Sequence, residues 1–130
     1  MQIPANGRKA MRKLLGGAES LVLNTQFKKL YRKGKSSVLP SVVVYAKPNG
    51  LKHNRLGITV SKKLGKAVIR NRAKRRLREV FRLTSAQMAQ GYDFVLVARG
   101  RTATCPYDKL RADFIQAVKA LEVLKDEKDN

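Results

Sequence analysis

Apolar positions along the chain change period several times, and each change marks an element. Phe27, Leu30 and Tyr31 recur at i, i+3 and i+4, which puts them on one helical face. Asn24 offers an N-cap and Gly34 a stop, so a short helix is predicted from Asn24 to about Lys33. Val38 to Ala46 is β-branched and apolar, with Pro40 near its start, where a strand tolerates it. Residues 47–50, KPNG, read as a turn or loop. Arg55 to Ser61 reads as a second strand, and the two strands are expected to pair as an antiparallel hairpin. A basic, glycine-containing loop spans Ser61 to Lys66, and a helix is predicted from about Ala67 to Arg82. Tyr92 to Arg99 carries the continuous apolar run Phe94, Val95, Leu96 and Val97, the mark of a central strand covered on both faces. A final helix starts near Pro106, with Leu110, Phe114, Ala117, Val118, Leu121 and Leu124 as its apolar stripe.

The resulting order is α-β-β-α-β-α, or α-β-β-β-α-β-α if a further short strand lies around the hairpin. Either order gives an α+β sandwich with helices on a small mixed sheet. The 130 residues suit one domain, residues 20–125. Residues 1–19 read as a basic, flexible extension and residues 126–130 as an acidic, frayed tail. Internal repeats and low-complexity segments are not found.

Charge changes the picture most. Lys and Arg number 29 against nine acids, a formal net charge of +20. Such an excess repels itself in the compact state and calls for a polyanion. On a wheel of about 100° per residue, Ile69, Ala73, Leu77, Val80 and Phe81 fall in one arc that should dock on the sheet. The rest of the circumference carries Arg72, Lys74, Arg75, Arg76, Arg78 and Arg82, with Glu79 its one acid. Lys62, Lys63 and Lys66 precede the helix; Arg70 falls inside the apolar arc, in the first turn, where its long stem can reach past the sheet edge. A solvated face usually mixes signs, because like charges at i, i+4 repel. Arginine forks also suit bidentate phosphate contact. The face therefore points to nucleic acid.

DNA is the poorer candidate. The strands around this helix exclude a three-helix homeodomain, and no heptads follow it as in a leucine zipper. RNA fits better, since Phe27, Tyr31 and Tyr45 offer stacking surfaces for unpaired bases near basic residues. Ordinary helix core is the competing account of Phe27 and Tyr31.

Other chemistry is thinly supplied. His53 is the only histidine and lies in a loop signal, and Cys105 is the only cysteine, so neither a metal cluster nor an internal disulfide can be assembled from such residues. The acids are scattered, without a pair spaced for two-metal chemistry. No protein cofactor and no catalytic residue are expected. No apolar run approaches a spanning helix, and no h-region marks a secretory signal. A lone thiol fits a reducing, cytoplasmic setting. Arg8, Lys9, Arg12 and Lys13 raise a mitochondrial presequence as an alternative, against which Pro4, Gly7, Gly16 and Gly17 interrupt helix amphipathicity.

Residues 55–82, RLGITVSKKLGKAVIRNRAKRRLREVFR, contain Arg70-Asn71-Arg72. This run resembles the bacterial ribonuclease P protein family, whose signature is that Arg-Asn-Arg motif. The resemblance extends through Phe27–Gly34 upstream and Asp93–Arg99 downstream. It implies a left-handed β-α-β crossover, where pattern reading alone expects a right-handed one, in a sandwich similar to a ribosomal small-subunit protein domain. It implies a protein that holds a large catalytic RNA, which binds magnesium and removes the 5′ leader of precursor tRNA. It places the basic loop and helix against that RNA through Lys62, Lys63, Arg70, Arg72, Arg75, Arg76 and Arg78, a group that Lys66 joins from the pattern. It places the single-stranded leader in a cleft matching Phe27, Tyr31, Tyr45 and Thr59, with Asn71 and Lys74 on the helix side nearest it. Tyr31 stands where the family often has phenylalanine, and Leu21, Val22 and Leu23 replace a stretch that is often more basic. Without the resemblance, a ribosomal-type or other structural RNA-binding module explains the composition equally well.

Overall fold

The computed structural model describes residues 18–21 and 24–124; most of the basic extension and all of the acidic tail lie outside them. The strands are β1 (Glu19–Ser20), β2 (Lys35–Val38), β3 (Val42–Pro48), β4 (Arg55–Thr59) and β5 (Tyr92–Ala98). The helices are α1 (Asn24–Lys33), α2 (Ala67–Thr84) and α3 (Tyr107–Ala120). The sheet order is β1-β4-β5-β3-β2. β5 runs parallel to β4 and antiparallel to β3, so the sheet is mixed, and α2 is the crossover between parallel neighbours β4 and β5. An α+β sandwich of the longer order is thus observed, with the two-residue β1 added at an edge.

Three sequence expectations need correction. β3 and β4 are not a hairpin, because β5 lies between them. The apolar run of β5 needs cover on both faces and neighbours on both edges, and the central place in the sheet supplies them. The hairpin partner of β3 is β2, with Val38 opposite Val43 and Lys35 opposite Ala46. The stretch read as one strand from Val38 to Ala46 breaks at Leu39-Pro40-Ser41, where the Leu39 amide donates to the Val42 carbonyl at 3.0 Å. Proline suits this turn because it gives up a ladder donor. Ile69 is the third correction. It is 36% exposed, and instead of docking on the sheet it packs at Gly65, where an added Cβ would lie 3.4 Å from it. Gly65 holds φ at +143°, a conformation that favours glycine.

Strand alternation assigns the two faces of the sheet. Val42, Val44, Ala46, Leu56, Phe94, Leu96 and Ala98 face α2 and α3, meeting Ala73, Leu77, Val80, Phe81, Leu110, Phe114, Ala117 and Val118 in the main core. The rings of Phe81 and Phe94 are 5.5 Å apart and those of Phe81 and Phe114 are 6.3 Å apart. Burying each such ring contributes about 1.5–3 kcal/mol. On the opposite face α1 inserts Leu30 between Leu21 and Val95, with Phe27, Tyr45 and Val97 half-buried around it. α1 and the α2–α3 pair therefore lie on opposite sides of one sheet.

Candidate nucleic-acid interface

The α1 face of the sheet is built in rows. Register aligns Thr59, Val97 and Val43; then Gly57, Val95 and Tyr45; then Arg55, Asp93 and Lys47. Leu30 anchors α1 on these rows and carries Phe27 and Tyr31 to the β4 side. The Phe27 ring lies on Gly57: a Cβ there would sit 2.5 Å from its Cζ. Tyr31 Oη is 2.9 Å from Thr59 Oγ1, and its ring meets that of Tyr45 edge-on, with centroids 4.9 Å apart at 83°. Tyr31 remains 40% exposed, unusual for a ring held so closely by neighbours. Phe27, Tyr31, Tyr45 and Thr59 thus converge as expected. Core packing accounts for part of Phe27 but not for the open face of Tyr31.

A groove of about 240 Å³ runs from the Phe27 ring past β4 to α2, lined by Ser20, Leu21, Phe27, Leu56, Gly57, Ile58, Lys74 and Arg78. Lys74, expected at the cleft, is there. Arg78, grouped by sequence with the catalytic-RNA face, shares this groove. Ser20, Leu21 and Gly57 also line it, although neither the pattern nor the resemblance assigns them to the cleft. A lone glycine inside an apolar strand is itself a sign of close approach, so Gly57 could have been found.

Helical geometry divides the rest of α2. Asn71, Lys74 and Arg78 lie toward the groove. Arg72, Arg75, Glu79 and Arg82 form the outermost ridge, which Val68 extends into the first turn, 78% exposed. Arg76 lies on the far flank, where Nη1 donates to the Thr102 carbonyl at 2.8 Å. That bond ties the arginine to the β5–α3 loop and fixes its stem. Glu79 accepts from Arg82 at 2.6 Å, an exposed i, i+3 pair; the Arg82 hydrogen bond holds the Glu79 carboxyl below its usual range. Arg72 and Arg75 are exposed.

At the start of α2, Lys66 occupies the N-cap without a side-chain cap, and the first turn has no acid. Lys62 and Lys63 sit just before it in a short 3-10 turn, where Ser61 Oγ accepts from the Lys63 amide at 3.2 Å. Exposed amides, the positive helix end and three lysines together favour an anion. Arg70 is half-buried, and its Nε is a buried donor without a hydrogen-bond partner. An orphaned buried donor costs about 1–3 kcal/mol.

Among the described residues, no group of three or more His, Cys, Asp or Glu is placed to hold a metal, and no helix is long and apolar enough to cross a membrane.

Comparison with known proteins matches this arrangement. A family model for ribonuclease P covers residues 15–122. The chain is 46% identical over 94 residues to the ribonuclease P protein component of Caldanaerobacter subterraneus subsp. tengcongensis, spanning 72% of this chain and 81% of that one. It is 42% identical over 106 residues to the component from Natranaerobius thermophilus, spanning 82% and 92%. The Staphylococcus aureus RNase P protein structure superposes with a TM-score of 0.73 at 33% identity, covering 82% of this chain and 97% of that one. The Thermotoga maritima RNase P protein gives 0.68 at 32% identity, covering 75% and 93%. With its fold, its Arg70-Asn71-Arg72 helix and its matched length all in agreement, the chain belongs to the ribonuclease P protein family.

Proposed function

We propose that this protein is the subunit that holds the catalytic RNA of ribonuclease P and steers the 5′ leader of precursor tRNA. The observation that carries the reading is the division of surface chemistry around α2. Arg72 and Arg75 form an exposed ridge with Lys62, Lys63 and Lys66 at its head, while Asn71, Lys74 and Arg78 turn toward a groove that ends at Phe27. Arginine and lysine at the ridge neutralise phosphates of a folded RNA. Half-buried Arg70 contributes its charge beside them, and Arg76 contributes its own from a fixed position. In the groove and cleft, the faces of Phe27, Tyr31 and Tyr45 take unstacked bases, Thr59 and Asn71 offer polar atoms, and Lys74 and Arg78 neutralise the strand between them.

Hydrolysis belongs to the RNA in this reading. The protein contributes no catalytic side chain and holds no cofactor; magnesium is bound by the RNA subunit. The protein's contribution is uniform positioning: binding the leader raises the share of precursor held in register for cleavage. The setting is cytoplasmic, where precursor tRNA is made.

The test is cleavage of precursor tRNA at low magnesium by a bacterial ribonuclease P RNA, with and without this protein. RNA alone and protein alone should be nearly inactive, and the mixture should cut at the mature 5′ end. If a well-folded preparation adds nothing, even with the RNA of its own organism, a structural RNA-binding module of ribosomal type becomes the better reading.

A further inference from the structure

We infer that the outward surface of α1 is a second RNA-binding face, which takes the upstream part of the leader after it leaves the aromatic cleft. The inference rests on the leader-cleft reading and extends it beyond the residues assigned there. α1 has ten residues, of which Lys28, Lys29, Arg32 and Lys33 are basic and none is acidic. All of these are exposed. They spread over the arc left free by Phe27, Leu30 and Tyr31, where Thr25 is, among the described side chains, the one exposed uncharged residue, so the outward surface of the helix is predominantly cationic.

Two of its i, i+4 pairs, Lys28 with Arg32 and Lys29 with Lys33, are like-charged, an arrangement that destabilises a helix. The C-terminal helix dipole favours Arg32 and Lys33 but does nothing for Lys28 and Lys29. No ion pair among the described residues joins these four cations to a carboxylate. Among the described residues, the ion-paired acids are Asp93 with Arg55, Glu79 with Arg82 and Asp113 with Lys109. The charge continues off the helix: Lys29 and Lys47 line a groove of about 330 Å³ whose one acid, Asp93, is paired with Arg55.

Position identifies the occupant. α1 lies across the sheet from α2, so an RNA seated on the arginine ridge does not cover it. A strand stacked on Phe27 and Tyr31, by contrast, is already at the inner edge of α1 and continues onto Lys28 and Arg32. A flexible single strand can bend over a helix about 15 Å long, and it brings the phosphates that these cations lack.

The experiment compares wild type with Lys28→Gln/Lys29→Gln/Arg32→Gln/Lys33→Gln, each assembled with catalytic RNA. Glutamine has nearly the helix propensity of lysine and arginine, and circular dichroism checks that the fold is kept. Binding is measured for mature tRNA and for precursors with leaders of about two and about 16 nucleotides, below and at the upper end of single-strand site sizes. The variant should lose about tenfold in affinity for the long leader at low salt, with a salt slope shallower by about 0.7 per lost contact, and nothing for the short leader or mature tRNA. The Lys28→Gln/Lys29→Gln variant should lose roughly half of that slope change. Equal loss for long and short leaders, or none for either, overturns the inference. Phe27→Ala serves as the parallel control. If it separates precursor from mature tRNA while the α1 variants do not separate long from short leaders, only this inference falls. If Phe27→Ala weakens both tRNAs alike, the cleft reading itself fails.

Discussion

The Phe27 ring and Gly57 are in direct contact across the α1–sheet interface, so close that Gly57 admits no Cβ: the added atom would lie 2.5 Å from Cζ and 2.6 Å from Cε1. Gly57→Ala should therefore displace Phe27 from the groove floor. Overpacking of this kind costs about 1–3 kcal/mol. The expected functional result is weaker binding of precursor tRNA with mature tRNA unchanged. In a Phe27→Ala background the same alanine should cost little, because its clash has been removed. A double-mutant cycle checks this, and additive losses would show that Gly57 acts on something other than Phe27.

Charge reversal on the exposed ridge should act on the other partner. Arg72→Glu and Arg75→Glu are expected to weaken catalytic-RNA binding while leaving thermal unfolding unchanged. Each should reduce the steepness of the salt dependence by about one unit if it removes a phosphate contact. Arg76→Gln should behave differently, since Arg76 also holds the Thr102 carbonyl at 2.8 Å. It should lower stability as well as affinity. Filter binding across a salt series, alongside thermal melts, separates the two classes, and a ridge variant that binds RNA normally would remove that arginine from the interface.

Tyr31 allows its ring and its hydroxyl to be tested apart. Its Oη lies 2.9 Å from Thr59 Oγ1 at an exposed site. Tyr31→Phe removes that bond, worth about 0.5–1.5 kcal/mol, and keeps the stacking face. Precursor affinity should change little. Tyr31→Ala removes the face and should cost about 1–3 kcal/mol in precursor binding if a base stacks there. Equal effects of the two variants would assign the role to the hydroxyl.

Periodicity made the helices and the core legible because their residues answer to one local rule. The Leu110–Phe114–Ala117–Val118 stripe of α3 and the Ala73–Leu77–Val80–Phe81 arc of α2 follow from 3.6-residue spacing alone, whereas Leu124, given to the same stripe, lies past the helix end and bridges to Met88. Pairing of β3 with β4 was misread because strand neighbours are set by what inserts between them, and β5 comes more than 30 residues after β4. Ile69 was misplaced because a wheel assigns angle but not depth: α2 begins beyond the sheet, so an inward angle in its first turn meets the Gly65 loop. At the candidate site, residue types and positions were readable, whereas the grouping of Arg78 with Phe27 depends on which flank of α2 meets the β4 edge. Gly57, a glycine inside an apolar strand, carries its own sign of close approach in the sequence.

Stability at low pH should depend on Asp113, a buried residue of α3, 1% exposed. Its Oδ2 accepts from the Ser41 amide at 3.1 Å and from Ser41 Oγ at 2.7 Å, and Lys109 Nζ lies 3.1 Å from Oδ1. Burial opposes the charge on Asp113, but these hydrogen bonds and the Lys109 ammonium outweigh it and hold the carboxyl below its ordinary value. The same network reaches the β5–α3 loop, because Thr102 Oγ1 donates to the Ser41 carbonyl and accepts from the Arg99 amide at 2.8 Å. A depressed folded-state pKa means that the unfolded chain binds the proton more readily. The stabilisation is therefore complete above the unfolded value of about 3.9 and is lost as pH falls toward and through the lower folded value. Asp113→Asn should cost about 1–3 kcal/mol at neutral pH by leaving buried donors poorly matched. It should also flatten the fall in stability on the acid side of pH 4, relative to wild type. Denaturant melts at pH 7 and near pH 3 measure both effects; a variant whose deficit is the same at the two pH values would mean that Asp113 stabilises by shape and not by charge.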